Sequence, residues 1–168
     1  MDRDSQVFEL KKSFRLLETK VLVLIAIPLP VFSFAYLYTS SGNREVYLPE
    51  ISPVFLYLIL AAILWLLFLQ YNSFQKRILP AKNSAIALSD KLLLYGKAAV
   101  RRYWYLFWAG LLSALGLIVY ENQIFTVTYA LNLIFVSLAK PTPDRLVKAL
   151  HLKNEEREMA YEINRRED

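Results

Sequence analysis

The sequence predicts an all-α polytopic membrane protein: four transmembrane helices, with additional amphipathic cytoplasmic helices at the N-terminus, in the connection between spans two and three, and at the C-terminus. Three observations predict it. Residues 21–38, 54–71, 103–120 and 124–139 hold no Asp, Glu, Lys, Arg or His. Apolar residues make up 56% of the 168, against a usual ~45–50%. Finally, the basic residues gather on alternate sides of the four stretches. The N-terminal segment carries Arg3, Lys11, Lys12, Arg15 and Lys20, residues 72–102 carry seven, and residues 140–168 carry another seven. The first connection carries only Arg44 and the last carries none. Cytoplasmic loops are the ones enriched in Lys and Arg. Both termini are therefore expected in the cytoplasm.

The expected organisation follows the charge pattern. Residues 1–20 form a cytoplasmic amphipathic segment. Residues 21–139 form the four-helix transmembrane domain, with spans 21–38, 54–71, 103–120 and 124–139 and a cytoplasmic connection 72–102. Residues 140–168 form a cytoplasmic C-terminal helix. Phe8, Leu10, Phe14, Leu16 and Leu17, set among charges, predict a short helix on the membrane surface. The first span is expected to stay as an anchor, because twenty polar-rich residues precede it and no small-x-small cleavage site follows. It contains Pro28 and Pro30. Each removes a backbone donor and crowds the preceding turn, so the helix is expected to kink or unwind there.

Ser40-Ser41-Gly42-Asn43 is a turn signal. Ser52 and Pro53 are the expected cap and first-turn proline of the second span. That helix can run through Arg77 and Ile78 until Pro80. Another can start near Asn83 or Ser84 and feed span three, with Leu88, Leu92, Tyr95 and Ala99 as its apolar stripe. Glu121-Asn122-Gln123 is short enough to make spans three and four an antiparallel hairpin. Span four is 16 residues, or ~24 Å at ~1.5 Å per residue, against a usual ~17–25 residues for a span. Pro141 ends it. Thr142, Pro143 and Asp144 then open a helix expected to reach about Asn164, with Asp144–Lys148 and Glu162–Arg166 as four-apart pairs.

Several chemistries are excluded by composition. The chain has no Cys and one His, His151. Disulfides, thiolate zinc sites, iron–sulfur clusters and a haem held by two histidines of one chain are impossible. No phosphate-cradling or catalytic motif occurs. The charge-free spans argue against ion-coupled transport. No catalytic residue, cofactor or metal ligand is expected, and no enzyme activity. The tail balances seven bases with seven acids, so no nucleic-acid partner is expected. His151 and the Glu155, Glu156, Glu158 cluster read as surface residues.

Three sets of residues are candidates for contacts. Pro28, Pro30, Thr128 and Asn132 could form a mid-membrane hinge or polar packing node. Ala109, Gly110, Ser113 and Ala114 give span three a small-residue packing face. Lys76, Arg77, Arg101 and Arg102 form a basic collar suited to lipid headgroups. The expected partners are the lipid bilayer and a protein partner or further copies of the chain. The expected location is the cell membrane, of the bacterial inner-membrane kind, since no Asn-x-Ser/Thr sequon occurs. The expected function is a non-catalytic scaffold, accessory or regulatory subunit. The alternative is a small passive transporter or channel formed as an oligomer.

Overall fold

The computed structural model describes residues 3–41, 52–83 and 86–164, and these are helical with no strand. Helix α1 runs Arg3–Ala26 and α2 Pro28–Ser40. Helix α3 runs Pro53–Ile78, and a 3₁₀ turn Pro80–Lys82 follows. Helix α4 runs Leu88–Tyr120, α5 Ile124–Ala139, α6 Pro143–Leu150 and α7 Asn154–Asn164. Among the described residues, three units are long and apolar enough to cross a membrane: Leu10–Ser40, Pro53–Ile78 and Leu88–Tyr120. Helix α5 becomes a fourth candidate only together with α6, which bends away from it by 77°. The expected turn at 40–43 and the Glu162–Arg166 pair lie partly outside the described residues.

The local signals explain most of the helix ends. Ser52 Oγ accepts from the Val54 backbone N–H at 3.5 Å, and Pro53 takes the first position of α3. Thr142 Oγ1 accepts from the Arg145 N–H at 3.4 Å, with Pro143 at the first position of α6. Helix α1 continues past Lys20 into the apolar stretch, since no Gly or Pro interrupts residues 3–26. The expected separate surface helix is thus the first half of a longer one. At Pro28 the chain does not unwind. Ile27 keeps helical angles (φ −74°, ψ −51°) and its N–H still reaches Val23 O at 3.3 Å. Proline fits the first turn of a new helix, where its missing donor has no partner to lose.

Two expectations are corrected. Helix α4 starts at Leu88 rather than near Asn83 or Ser84. The tail is two helices rather than one. His151 adopts a left-handed conformation (φ 53°) and the Leu152 N–H returns to Val147 O at 3.1 Å. This closes the last turn in the manner of a Schellman cap and buries Leu152.

Helix α4 is the axis of the bundle and packs on α1, α2, α3 and α5. Its contacts give the direction of each neighbour. Leu17 meets Gly96, and Pro28 meets Gly110. The two indices rise together, so α1 and α2 run parallel to α4. Gln70 meets Arg102, while the Ser52 carbonyl meets the Tyr120 hydroxyl. Helix α3 is therefore antiparallel. Tyr103 donates to Val136 O at 3.0 Å, and the ring of Phe125 covers Gly116. Helix α5 is antiparallel too, and the expected hairpin is present. Four helices thus alternate in direction. The start of α4, the ends of α3 and α5, and the tail collect at one end, which is also where the basic residues lie.

The apolar core continues into that basic end. Tyr95, Ala98, Ala99, Leu146 and Leu150 are buried there together with Phe14 and Leu17. The tail is held by polar contacts. Lys91 Nζ lies 2.7 Å from Glu156 Oε1, with the lysine almost fully buried. The Tyr161 hydroxyl donates to Asp144 Oδ1 at 2.8 Å. The Arg145 guanidinium donates to the carbonyls of Ser137 (2.9 Å), Leu138 and Lys140, where α5 ends and its last carbonyls lack helical donors further along the chain.

Candidate functional site

Among the described residues, the middle of the bundle and a groove at its basic end are the places to consider for binding. The middle is closed. Helix α4 presents Ala109, Gly110, Ser113 and Ala114, all buried. A methyl group placed on Gly110 would lie 3.1 Å from Pro28 Cβ and 3.2 Å from Asn132 Nδ2. The small residues therefore admit α2 and α5 of the same chain. Asn132 Nδ2 donates to Leu106 O at 3.2 Å, while its Oδ1 is buried without a partner. Thr128 Oγ1 lies 3.5 Å from Ser113 Oγ and donates to Phe125 O at 2.9 Å. Tyr129 stacks on Phe32, ring centres 3.7 Å apart. The space left beside Pro28, Tyr103 and Asn132 is about 10 Å³, about the least that one water needs (~10–15 Å³) and far too little for a solute. So three of the four expected node residues (Pro28, Thr128, Asn132) lie in or beside one packed interface. Pro30 is exposed on α2.

The basic collar divides. Consecutive helical residues point ~100° apart, so Arg101 and Arg102 cannot share an environment. Arg102 turns inward. Its Nε donates to Gln70 Oε1 at 2.5 Å, and its guanidinium lies 5.1 Å from the centre of the Phe74 ring. Gln70 is fully buried, and its Nε2 has no partner. Arg102, half-buried, thus packs against α3, and its expected contact with lipid headgroups is not tested by this arrangement. Lys76 is exposed on α3, away from the groove. Arg77 and Arg101 do face outward, into the groove between α1 and α4.

The groove encloses about 1160 Å³ and is open along one side. Its floor is Leu17 against Gly96, with Phe14, Leu92 and Tyr95 beside them. Met159 of α7 and Asp90 stand near its outer end. Lys20, Arg77, Lys97 and Arg101 form a basic belt across it. Among the described residues, no carboxylate pairs with any of these four. Arg101 Nε lies 3.5 Å from the Tyr105 hydroxyl. Beyond the belt come Trp104 and Trp108, both exposed and each edge-on to Phe107 at 5.3 and 5.6 Å.

Sequence reasoning did not single out Lys20 or Lys97 for this site. A signal was available for Lys97. Leu93, Lys97, Arg101, Trp104 and Trp108 follow helical spacing and share one face of α4. The neighbourhood of Lys20 had no such signal, because it depends on α1 lying parallel to α4. The Glu155, Glu156, Glu158 cluster also divides, since Glu156 is committed to Lys91. Compared with family models, with curated proteins and with solved structures, the chain matches none.

Proposed function

We propose that this chain is a non-catalytic, four-span membrane protein with both termini in the cytoplasm, serving as a scaffold or accessory subunit for other proteins. One observation carries the reading: the Lys91–Glu156 pair fastens the tail to the start of α4. If α4 crosses the bilayer, a tail fixed to its start requires α5 to cross back. The alternating helix directions and the 19 basic residues flanking that end favour the same arrangement. Helices α1 and α4, with α6 and α7, then extend beyond the bilayer as a cytoplasmic cap. The mixed charges and exposed side chains of this cap suit protein contacts better than the apolar spans do.

The polar groups inside the bundle serve packing. Arg102 holds Gln70, Arg145 caps α5 and Asn132 ties α5 to α4. The filled space at Pro28 and Asn132 favours the scaffold over passive transport through a single chain. Native mass measurement in mild detergent tests the reading. The wild-type protein is expected in a complex larger than its own 19.5 kDa. Glu156→Gln leaves Lys91 buried without its partner and should shrink that complex by releasing the cap. A wild-type protein that is monomeric and alone contradicts the proposal.

A further inference from the structure

We infer that the groove between α1 and α4 is a selective site for an anionic phospholipid, with the phosphate on the Lys20–Arg77–Lys97–Arg101 belt and the acyl chains along Trp104 and Trp108. The inference rests on the membrane orientation proposed above. Each of the four basic residues lies within six positions of a charge-free stretch, or ~9 Å along a helix. The belt therefore sits at the depth of lipid phosphates. Trp104, Tyr105 and Trp108 begin the apolar stretch immediately inside it, where amphipathic rings favour the interface.

Three helices contribute to the belt: Lys20 from α1, Arg77 from α3, and Lys97 and Arg101 from α4. A cluster gathered from separate elements defines a position, as one basic helix face does not. Among the described residues these cations lack carboxylate partners, whereas Lys91 nearby has one. Lys91 is committed to Glu156, so the cations open to an anion in the groove are these four. Arg101 is steadied by Tyr105, which reduces the side-chain freedom lost on binding. A soluble phosphate would use the belt but leave the tryptophans unused. A membrane lipid uses both.

Fluorescence quenching by brominated lipid tests this. The chain has three tryptophans, and Trp65 lies on α3, away from the groove. In Trp65→Phe only the two groove tryptophans report. The protein would be placed in phosphatidylcholine vesicles containing a small fraction of dibrominated phosphatidylglycerol or of dibrominated phosphatidylcholine. The anionic quencher is expected to be preferred, by about fivefold for each basic side chain engaged. The double change Lys97→Gln and Arg101→Gln should remove most of that preference, and millimolar glycerol phosphate should not compete. Equal quenching by the two lipids overturns the inference. So does a preference that survives the double change, or one abolished by glycerol phosphate. The companion variant Trp104→Phe with Trp108→Phe leaves Trp65 as reporter. Its quenching by either lipid reads membrane insertion alone, so a failure of selectivity is distinguishable from a failure of the membrane reading.

Discussion

Asn132 shows how little of a residue's environment can be read from its type. Its polarity and depth predicted interhelical bonding, and the bond exists, to Leu106 O on α4. The cost was not legible: Oδ1 is buried without a partner. Interhelical bonds of this kind are worth ~0.6–1.7 kcal/mol, and an unpaired buried acceptor offsets part of that. Asn132→Leu should therefore lower the melting temperature in detergent modestly, by less than ~1.7 kcal/mol of stability. An unchanged or raised melting temperature would mean that the bond contributes nothing. Arg102 is the opposite case. Its charge and position suggested a headgroup contact, and within the chain it binds Gln70 and covers Phe74. Helical phase alone separates it from Arg101, so this distinction was present in the sequence and needed only the ~100° step to find.

At the scale of elements, starts and stops were the most legible. Ser52–Pro53 and Thr142–Pro143 cap the helices they precede, because hydroxyl acceptors and proline act locally. The stop at His151 was hidden, since a left-handed residue is usually announced by glycine. The α4–α5 hairpin followed from its short loop. Its closeness did not, because it depends on the ring of Phe125 lying over Gly116. A Cβ there would come within 2.3 Å of that ring, and Phe125 is fully buried. Gly116→Ala is expected to destabilise the hairpin by ~1–3 kcal/mol, the usual cost of overpacking. Adding Phe125→Leu should restore part of the loss in a thermal melt. If Gly116→Ala melts like the wild type, the close packing is not as described.

For the whole molecule, three of the four charge-free stretches foretold helices of spanning length, because bilayer thickness and backbone satisfaction leave few alternatives. What the stretches could not convey was the arrangement around α4. Lys91 and Glu156 are 65 residues apart, and nothing in either neighbourhood announces the other. The groove likewise exists only because α1 runs parallel to α4, with two helices between them in sequence. Of the collar singled out for lipid contact, Arg77 and Arg101 line this groove. The central claim is that the chain crosses the membrane four times and returns its tail to the side of the basic connection. Labelling of single cysteines in intact cells tests it most directly, since the chain has no cysteine of its own. Ser41→Cys should react with a membrane-impermeant maleimide, whereas Lys153→Cys, on the exposed surface between α6 and α7, should react only after the membrane is permeabilised. Reaction of both in intact cells would mean that α5 does not cross, and would contradict the four-span account.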